Sequence, residues 1–311
     1  MSGYKTDLSV RLGALTLKNP VLPASGAYDY FENNAGLFPM SELGAVMIKS
    51  VHHDARQGNP PPRVAEVTGG MLNAVGIPSL GIRRFLQEQL PRYGGIGTPV
   101  VLSLSGSTPE QYEESLELLG EDPIAAAIEL NLSCPNVGTG LPFSSEPKLL
   151  ERTVKGARRL TKKPLFVKLS PNVTDIQPIA KAGEAAGADA LVIANTYHGM
   201  KIDLWKKRSA LGRPSGGLSG PAVKPQSLYL VYQAYAAVGI PIIGCGGIST
   251  WEDAVEYHLA GATAVEVGCA NFTDPLAMPN VIHGIDGYLA SQGYGSLREI
   301  VGLAHKNNEG L

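Results

Sequence analysis

The segment Asn131-Leu-Ser-Cys-Pro-Asn136 combines the residue types with the clearest chemical potential in this sequence. Cys134 could act as a general base or as a nucleophile, because the reference pKa of a thiol, about 8.5, lies near neutral pH. Asn131 and Asn136, together with Asn73 and Asn195, offer amide donors and acceptors. We expect such a set to bind a planar polar substrate rich in C=O and N–H groups.

Two lysines stand where short apolar runs end. Lys49 follows Val46-Met-Ile48, and Lys168 follows Leu165-Phe-Val167. A lysine at the edge of an apolar interior needs an anion or an electron-rich ring as a partner. Two such lysines favour a shared site over side chains that merely extend into water. A Schiff-base role is the alternative chemistry for such a lysine.

Glycines cluster in two segments near the C-terminal part of the chain, Ile243-Gly-Cys-Gly-Gly-Ile-Ser249 and Val267-Gly-Cys-Ala-Asn271. Backbone N–H groups beside a helix N-terminus bind phosphate well. Glycine is required there because a Cβ would keep the phosphate away from the backbone. The two segments together predict a phosphate site, with simple turn glycines as the alternative.

Eight short apolar runs must position these residues, and most of them precede a helical pattern. They are Pro20–Ala24, Ala45–Ile48, Pro99–Leu102, Ala126–Leu130, Pro164–Val167, Ala190–Ile193, Pro241–Ile243 and Ala264–Val267. Continuous apolar runs are typical of buried parallel strands. The sequence therefore predicts an α/β fold, a (β/α)8 TIM barrel over residues 1–311 as a single domain, with catalytic groups at the strand C-terminal ends. An open doubly wound sheet is the alternative.

Further local patterns complete this predicted barrel. Residues 5–19 alternate apolar and polar about Gly13-Ala14 and predict an N-terminal β-hairpin that closes the barrel bottom. Long loops on the active face are expected at 50–80, 131–146 and 195–224. Capping boxes are expected to start three helices. They are Thr108-Pro-Glu-Gln111, Thr174-Asp-Ile-Gln177 and Ser249-Thr-Trp-Glu252.

Composition narrows the class of protein. The 311 residues carry a net charge of -2, which provides no field to attract nucleic acid or an anionic membrane. No apolar run is long enough to span a membrane and no signal peptide is evident, so a cytoplasmic location is expected. The six histidines lack ligand spacing, and no metal site is expected. The three cysteines lack the spacing for an iron–sulfur cluster, and Cys245 and Cys269 are interpreted as buried, inert side chains.

These residues together resemble class 1 dihydroorotate dehydrogenase over nearly the whole chain. The matching motifs are Ile48-Lys-Ser50, Arg56–Pro60, Pro62–Glu66, Gly70–Gly76, Asn131–Asn136, Val167-Lys-Leu169, Asn195-Thr196, Gly216–Pro221 and Cys245–Ile248. The resemblance implies a barrel that binds FMN at its mouth and oxidises (S)-dihydroorotate to orotate in pyrimidine biosynthesis. It implies that Cys134 is the base that removes the proton from C5 of the substrate.

The resemblance also implies two sets of binding residues. Residues implied for FMN are Ser25, Lys49, Ser50, Ser103, Asn131, Lys168, Ala194, Gly220, Gly246, Gly247, Gly268 and Cys269, of which the last four would hold the phosphate. Residues implied for the substrate are Lys49, Asn73, Ala74, Val75, Gly76, Ile77, Asn131, Asn136, Asn195 and Thr196.

The electron acceptor is less sharply indicated. Most motifs resemble the B type, in which a homodimer of catalytic subunits pairs with two partner subunits that carry FAD and a 2Fe-2S cluster and reduce NAD. Ser103 and Cys269 depart from the usual B-type residues, and Ile77–Gly81 is closer to the fumarate-using A type. Three more functions stay open: the FMN part of a dihydropyrimidine dehydrogenase, a phosphosugar lyase with Lys168 as Schiff base, and a barrel kept only for binding.

Overall fold

The computed structural model describes residues 3–32, 34, 36–133 and 143–309. Its strands are, in chain order, β1 (Val10–Leu12), β2 (Leu15–Leu17), β3 (Val21–Pro23), β4 (Val46–His52), β5 (Ala55–Arg56), β6 (Val64–Val67), β7 (Gly70–Asn73), β8 (Ser79–Leu80), β9 (Val100–Ser105), β10 (Ala125–Asn131), β11 (Leu165–Lys168), β12 (Ala190–Ile193), β13 (Tyr197–Gly199), β14 (Ile202–Asp203), β15 (Arg208–Ser209), β16 (Gly216–Ser219), β17 (Ile242–Cys245) and β18 (Ala264–Val267). Its α-helices are α1 (Ile82–Glu88), α2 (Pro109–Leu119), α3 (Pro147–Leu160), α4 (Gln177–Ala185), α5 (Lys224–Tyr235), α6 (Trp251–Leu259), α7 (Ala277–Ser291) and α8 (Leu303–Asn307).

Eight parallel strands form a nearly closed barrel. Their order is β3-β18-β17-β12-β11-β10-β9-β4, which is the sequence order around a (β/α)8 barrel. Between β3 and β4 the described residues form no backbone ladder. The hydroxyl of Ser25 bridges this seam instead: it accepts from the backbone N–H of Ser50 at 2.8 Å and lies 3.2 Å from the carbonyl of Ile48. The predicted barrel is therefore confirmed over the open sheet.

The barrel strands coincide with the eight predicted apolar runs. Every residue of β11, β12, β17 and β18 is buried, as expected for strands covered on both faces. β4 and β9 continue beyond the predicted runs, to His52 and Ser105. In the described part of the connection from β3 to β4, a short 3-10 helix at Met40–Glu42 stands where the ideal repeat would have an α-helix.

One of the three expected helix starts has the predicted cap. The side chain of Thr108 accepts from the backbone N–H of Gln111 and caps α2. The Gln111 side chain bonds the N–H of Ser107, at 2.7 Å, instead of completing a box with Thr108.

The other two expected capping boxes are wrong in detail. The box of α6 lies one residue further along, between Thr250 and Asp253, because Thr250 is the residue with extended backbone at the helix boundary. The predicted box at Thr174 does not form, since α4 begins at Gln177. The Asp175 carboxylate accepts from the Gln177 N–H at 2.9 Å.

The N-terminal hairpin lies at the end of the barrel where the strands begin. β1 and β2 pair antiparallel across a turn in which Gly13 has a φ of 61°. A Cβ on Gly13 would approach the Cβ of Asp189, just before β12, to 2.7 Å. Leu12 and Leu17 are fully buried. The predicted hairpin is confirmed at the barrel bottom.

A small antiparallel sheet stands at the opposite end, which we call the mouth. Its order is β13-β16-β7-β6, and its strands come from the segments that follow barrel strands β4 and β12. Two predicted loops, at 50–80 and 195–224, thus contain paired strands. No helix among the described residues is both long and apolar enough to cross a membrane.

Candidate active site

The C-terminal ends of the barrel strands bring most of the predicted site residues to the mouth. Parallel strands share this end, so residues that are distant in sequence become neighbours. In strand order they are Ser25 after β3, Lys49 and Ser50 in β4, Ser103 in β9, Asn131 at the end of β10, Lys168 at the end of β11, Ala194 after β12, Gly246 and Gly247 after β17, and Gly268 and Cys269 after β18.

Three serine hydroxyls form a hydrogen-bonded row across neighbouring strands. Ser25 Oγ lies 3.1 Å from Ser50 Oγ, and Ser50 Oγ lies 2.9 Å from Ser103 Oγ. Ser103 then donates to the Glu129 carboxylate at 2.6 Å. Ser50 and Ser103 are buried, whereas Ser25 is partly exposed. The row therefore connects the mouth to a carboxyl group inside the barrel.

Asn131 is the centre of a second set of polar contacts. Its Nδ2 donates to Ser50 Oγ at 3.0 Å, and its Oδ1 accepts from Ser133 at 2.6 Å and from Asn195 at 3.3 Å. The Tyr112 hydroxyl donates to the Asn131 carbonyl at 2.8 Å. These contacts hold the amides of Asn131 and Asn195 side by side, as a polar substrate site requires.

Lys168 is held by two acidic residues that were not among the predicted site residues. Its Nζ donates to Glu266 Oε2 and lies 3.8 Å from Glu129 Oε2. Both glutamates are fully buried, and the lysine is 4% exposed. Burial alone would lower the pKa of Lys168, but the negative charge around it outweighs burial and raises that pKa. Lys168 is therefore protonated and positively charged.

The signal for these two glutamates was present in the sequence. Each is a charged residue within a continuous apolar run, Ala126–Leu130 and Ala264–Val267. A buried carboxyl needs a partner. The partner could not be assigned from sequence, since Lys168 and Glu266 are 98 residues apart. Their ion pair also weighs against a Schiff-base lyase, because a lysine nucleophile must lose its proton.

Lys49 lies on the other side of the mouth, beside the predicted substrate loop. Its Nζ donates to the carbonyl of Pro78 at 2.7 Å. Its side chain reaches solvent, yet the surrounding protein and the nearby Arg63 lower its pKa. Ile77, the residue before Pro78, has a φ of 48°, a conformation that is uncommon for a residue other than glycine.

The rest of the predicted substrate loop is held from its outer side. The Asn59 side chain donates to the carbonyl of Ala74 at 3.1 Å, and its backbone N–H donates to the carbonyl of Val75 at 3.0 Å. A Cβ on Gly76 would come within 2.7 Å of Asn59. The loop from Asn73 to Ile77 is therefore packed in place beside the mouth.

The small antiparallel sheet brings Asn73 and Thr196 together around Gly217. Asn73 Nδ2 donates to the Gly217 carbonyl at 3.4 Å, and a Cβ on Gly217 would lie 2.0 Å from Thr196 Oγ1. Asn172, which was not among the predicted site residues, donates to the Thr196 carbonyl at 3.1 Å. Glycine at position 217 thus leaves the space that Thr196 occupies.

The glycine segments fit a phosphate-bearing ligand. Gly246 and Gly247 have φ values of 126° and 73°, conformations that other residues rarely adopt. A Cβ on Gly268 would meet only the Cβ of Ala24, at 3.4 Å, so its backbone faces open space. Helix α6 starts at Trp251, shortly beyond Gly247, and the backbone N–H groups of Ser249 and Thr250 at its start donate to the Asp253 carboxylate.

Two further residues predicted to contact FMN, Gly220 and Ala194, lie near these glycine segments, and so does a cavity. A Cβ on Gly220 would come within 2.5 Å of the Gly70 Cα, and Cys269 interacts with Ser219, the neighbour of Gly220. Ala194 is buried, and its N–H donates to the carbonyl of Cys245 at 2.9 Å. A cavity of about 510 Å³ opens beside Lys49 and is lined by Tyr28, Tyr30, Phe31, Tyr93, Asn271 and Phe272 among others.

Two of the three cysteines, Cys245 and Cys269, are among the described residues. Cys134 and Asn136 lie outside the described residues. Cys245 is buried, and burial raises its pKa to about 12, so it is a neutral thiol as interpreted from sequence. Cys269 is only half-buried, so the interpretation as a buried side chain is wrong for it, although burial raises its pKa as well.

The barrel and its polar mouth define the class of protein as a (β/α)8 enzyme whose last two strands end in glycine segments. A sequence profile described as "Dihydroorotate dehydrogenase" matches residues 7–289. The chain belongs to the dihydroorotate dehydrogenase family, and it is an oxidoreductase.

Individual relatives are similar along nearly their whole length. The chain is 47% identical over 299 residues to a protein of Geobacter sulfurreducens, covering 96% of this chain and 98% of the relative. It is 46% identical over 297 residues to one of Bacteroides thetaiotaomicron, covering 95% and 98%, and 45% identical over 300 residues to one of Geobacillus kaustophilus, covering 96% of each. All three are named dihydroorotate dehydrogenase B (NAD(+)), catalytic subunit.

Proposed function

We propose that this chain is the catalytic subunit of a B-type dihydroorotate dehydrogenase, which oxidises (S)-dihydroorotate to orotate with FMN. One observation carries the proposal beyond family membership. A buried cation, paired amides and the open backbone at Gly268 meet at a single barrel mouth. A flavin phosphate, its ring and a planar pyrimidine need these three kinds of group.

FMN would be held along the row of strand ends. Gly246, Gly247, Gly268 and Cys269 would bind its phosphate through backbone N–H groups. Ser25, Lys49, Ser50, Ser103, Asn131, Lys168, Ala194 and Gly220 would contact the rest. When bound, FMN supplies the hydride acceptor for the reaction. The fixed positive charge of Lys168 would favour the negative charge that develops at the mouth during this transfer.

The substrate would be oriented by amides on both sides of the mouth. Asn131 and Asn195 lie side by side, and Asn73 and Thr196 meet around Gly217. Asn136 belongs to the same proposed set. Lys49, beside the loop Asn73–Ile77, is the cation available for the carboxylate of dihydroorotate. Cys134 would take the proton from C5 of dihydroorotate, the carbon next to the one that loses hydride.

Electrons would leave this chain for a partner subunit that carries FAD and a 2Fe-2S cluster and reduces NAD. The names of the relatives support a partner, because each is called a catalytic subunit of an NAD(+) enzyme. We propose two catalytic and two partner subunits. The cytoplasmic location inferred from the sequence stays a prediction.

The proposal is tested by anaerobic titration of the full-length chain with its bound flavin. Addition of (S)-dihydroorotate should bleach the flavin absorbance stoichiometrically, whereas dihydrouracil should leave it unchanged. Bleaching by dihydrouracil alone would instead support a dihydropyrimidine dehydrogenase. A colourless protein that becomes labelled at Lys168 by borohydride with a phosphosugar would overturn the proposal.

The same preparation separates the two possible electron acceptors. Flavin reduced by dihydroorotate should be reoxidised by NAD only when the partner subunit is present. Rapid reoxidation of the isolated chain by fumarate would show the A-type enzyme and contradict the proposed partner.

A further inference from the structure

The charged groups around Lys168 do not balance if all of them are ionised. Glu129 and Glu266 extend from β10 and β18 into the barrel, and both are fully buried. Lys168 on β11 is the cation in contact with them. Two carboxylates against one ammonium leave a surplus negative charge among buried groups, which is very costly.

The hydrogen bonds around the carboxyls point to the same surplus. Glu129 Oε1 accepts from Ser103, and Glu266 Oε2 accepts from Lys168. The remaining oxygens, Glu129 Oε2 and Glu266 Oε1, are buried and have no hydrogen-bond partner among the described residues. A buried acceptor without a donor is rare in proteins. The side chains of Glu129 and Glu266 are also in hydrogen-bond contact with each other, so a proton on one carboxyl supplies a donor for the other.

The Cys245 thiol is hydrogen-bonded to Glu266, but none of the described groups around the pair adds a second positive charge. The groups that face the pair are Lys168, Cys245 on β17, Ser103 on β9 and, near Glu266, Tyr30 after β3. Burial raises the pKa of Cys245 to about 12, and burial raises the pKa of Tyr30 as well, so both stay neutral. Burial is also the main cause that raises the pKa of Glu266, and the charge of Glu129 adds to it.

We propose that Glu129 and Glu266 share a single proton, and that this pair holds Lys168 as a balanced cation and exchanges its proton with the mouth through Ser103, Ser50 and Ser25. The glutamates are positioning residues, because they act through Lys168. The shared proton is inferred from this chain's own contacts. Only its link to the bound flavin rests on the proposed function.

The path to the mouth is continuous in the structure. Glu129, Ser103, Ser50 and Ser25 are joined by contacts of 2.6, 2.9 and 3.1 Å between side-chain oxygens. A hydroxyl both donates and accepts, so such a row can pass a proton along without any heavy atom moving far. Ser25, the end of the row, is partly exposed.

Infrared spectroscopy of the full-length chain tests the shared proton directly. The wild type should show the carbonyl stretch of a protonated carboxylic acid at neutral pH, shifted in D2O. Glu129→Gln and Glu266→Gln should each abolish it, because either variant leaves one carboxylate to balance Lys168. Glu117→Gln, on the exposed face of α2, should keep it. A wild type without this band, or a band that survives both variants, would overturn the proposal.

Unfolding as a function of pH gives a second readout that does not require the variants to be active. The folded state keeps a proton that the unfolded chain releases above the ordinary glutamate pKa. Because burial raises the pKa of Glu266 to about 8, stability should fall as the pH rises from about 5 toward about 8, by up to tenfold in the folding constant per pH unit for one proton. This fall should be smaller in both Gln variants than in Glu117→Gln. An identical pH profile in all proteins would contradict the shared proton.

Two more measurements separate the pair from its link to the flavin. Ser103→Ala should slow the exchange of the carboxyl proton in D2O while keeping the infrared band; unchanged exchange would refute the serine path. If the pair responds to charge at the mouth, the midpoint potential of bound FMN should depend on pH more steeply in the wild type than in Glu266→Gln. Failure of bleaching by dihydroorotate would refute the proposed function and leave the infrared result standing.

Discussion

The charged groups at the two ends of the barrel differ in burial and in balance. At the bottom, Asp189 accepts from Arg158 and from the backbone N–H of Leu165, each at 2.8 Å, and Arg158 also donates to the carbonyl of Lys163. One cation meets one anion, both partly exposed. At the mouth, one ammonium meets two fully buried carboxyls, and two carboxyl oxygens lack partners among the residues that the structure describes.

We infer from this difference that the pair at the bottom serves stability and that the charged groups at the mouth serve function. The bottom pair ties α3 to the start of β11 and β12 through direct hydrogen bonds. The arrangement at the mouth costs folding free energy, because an ammonium and its counter-charge are taken out of water there. Clusters of this kind are typical of functional sites. We therefore expect changes at the mouth to affect chemistry and changes at the bottom to affect unfolding.

The largest effect is expected from Cys134→Ser. A serine hydroxyl is deprotonated far less than a cysteine thiol near neutral pH, so little of the anionic base is available and flavin reduction by dihydroorotate should slow by roughly 10²- to 10⁴-fold. Stopped-flow absorbance measures the rate, and bound flavin should remain. Reduction at the wild-type rate would remove Cys134 from the mechanism.

Lys168→Met should have the next largest effect. It removes the fixed cation and leaves Glu129 and Glu266 without a counter-charge, so reduction should slow by about 10²- to 10³-fold. The control is Lys155→Met on α3, whose partner Glu151 is a surface residue. Equal rates in the two variants would show that the buried cation has no catalytic role.

Asp189→Asn should instead destabilise the bottom of the barrel. It weakens the contacts to Arg158 and Leu165, and we expect the free energy of unfolding to fall by about 1–3 kcal/mol. Glu88→Gln, in the exposed pair with Arg84, should cost about 0–1 kcal/mol. Urea unfolding compares the two. An equal small loss in both would mean that the bottom pair is only a surface contact.

The smallest effects are expected at two helix caps, Thr108 of α2 and Thr250 of α6. Thr→Ala at either position should lower stability by about 1 kcal/mol. Only Thr250→Ala should also weaken FMN binding, since α6 starts beside the glycine segment at the mouth. Isothermal titration of FMN into each variant distinguishes them, and equal affinities would argue against a phosphate site at Gly246 and Gly247.

Much of the barrel could be predicted because its signals are local. Each buried strand is a short apolar run, and the ends of such runs necessarily meet at one mouth, which located Ser25, Lys49, Asn131 and Lys168. The hairpin at Gly13 was equally local. Helix starts were predicted less accurately, since Ser249 and Thr250 both have the chemistry of a cap and only the backbone conformation selects Thr250.

The partners of Lys168 could not be predicted, because they depend on geometry across the barrel. Glu129 and Glu266 look like interruptions of apolar strands until β10, β11 and β18 face one another around the interior. The same holds for the contact of Thr196 with Gly217, which requires the pairing of β13 with β16. The mouth could therefore be located from the sequence, whereas its internal acid pair could not.

The most direct test of the account compares wild type, Lys168→Met and Asp189→Asn in one experiment. Each full-length protein, with equal bound FMN, is mixed anaerobically with (S)-dihydroorotate, and the rate of flavin bleaching is recorded. We predict a wild-type rate in Asp189→Asn and a rate about 10²- to 10³-fold lower in Lys168→Met. Equal rates in all three proteins, or no bleaching of the wild type, would contradict the assignment of chemistry to the mouth.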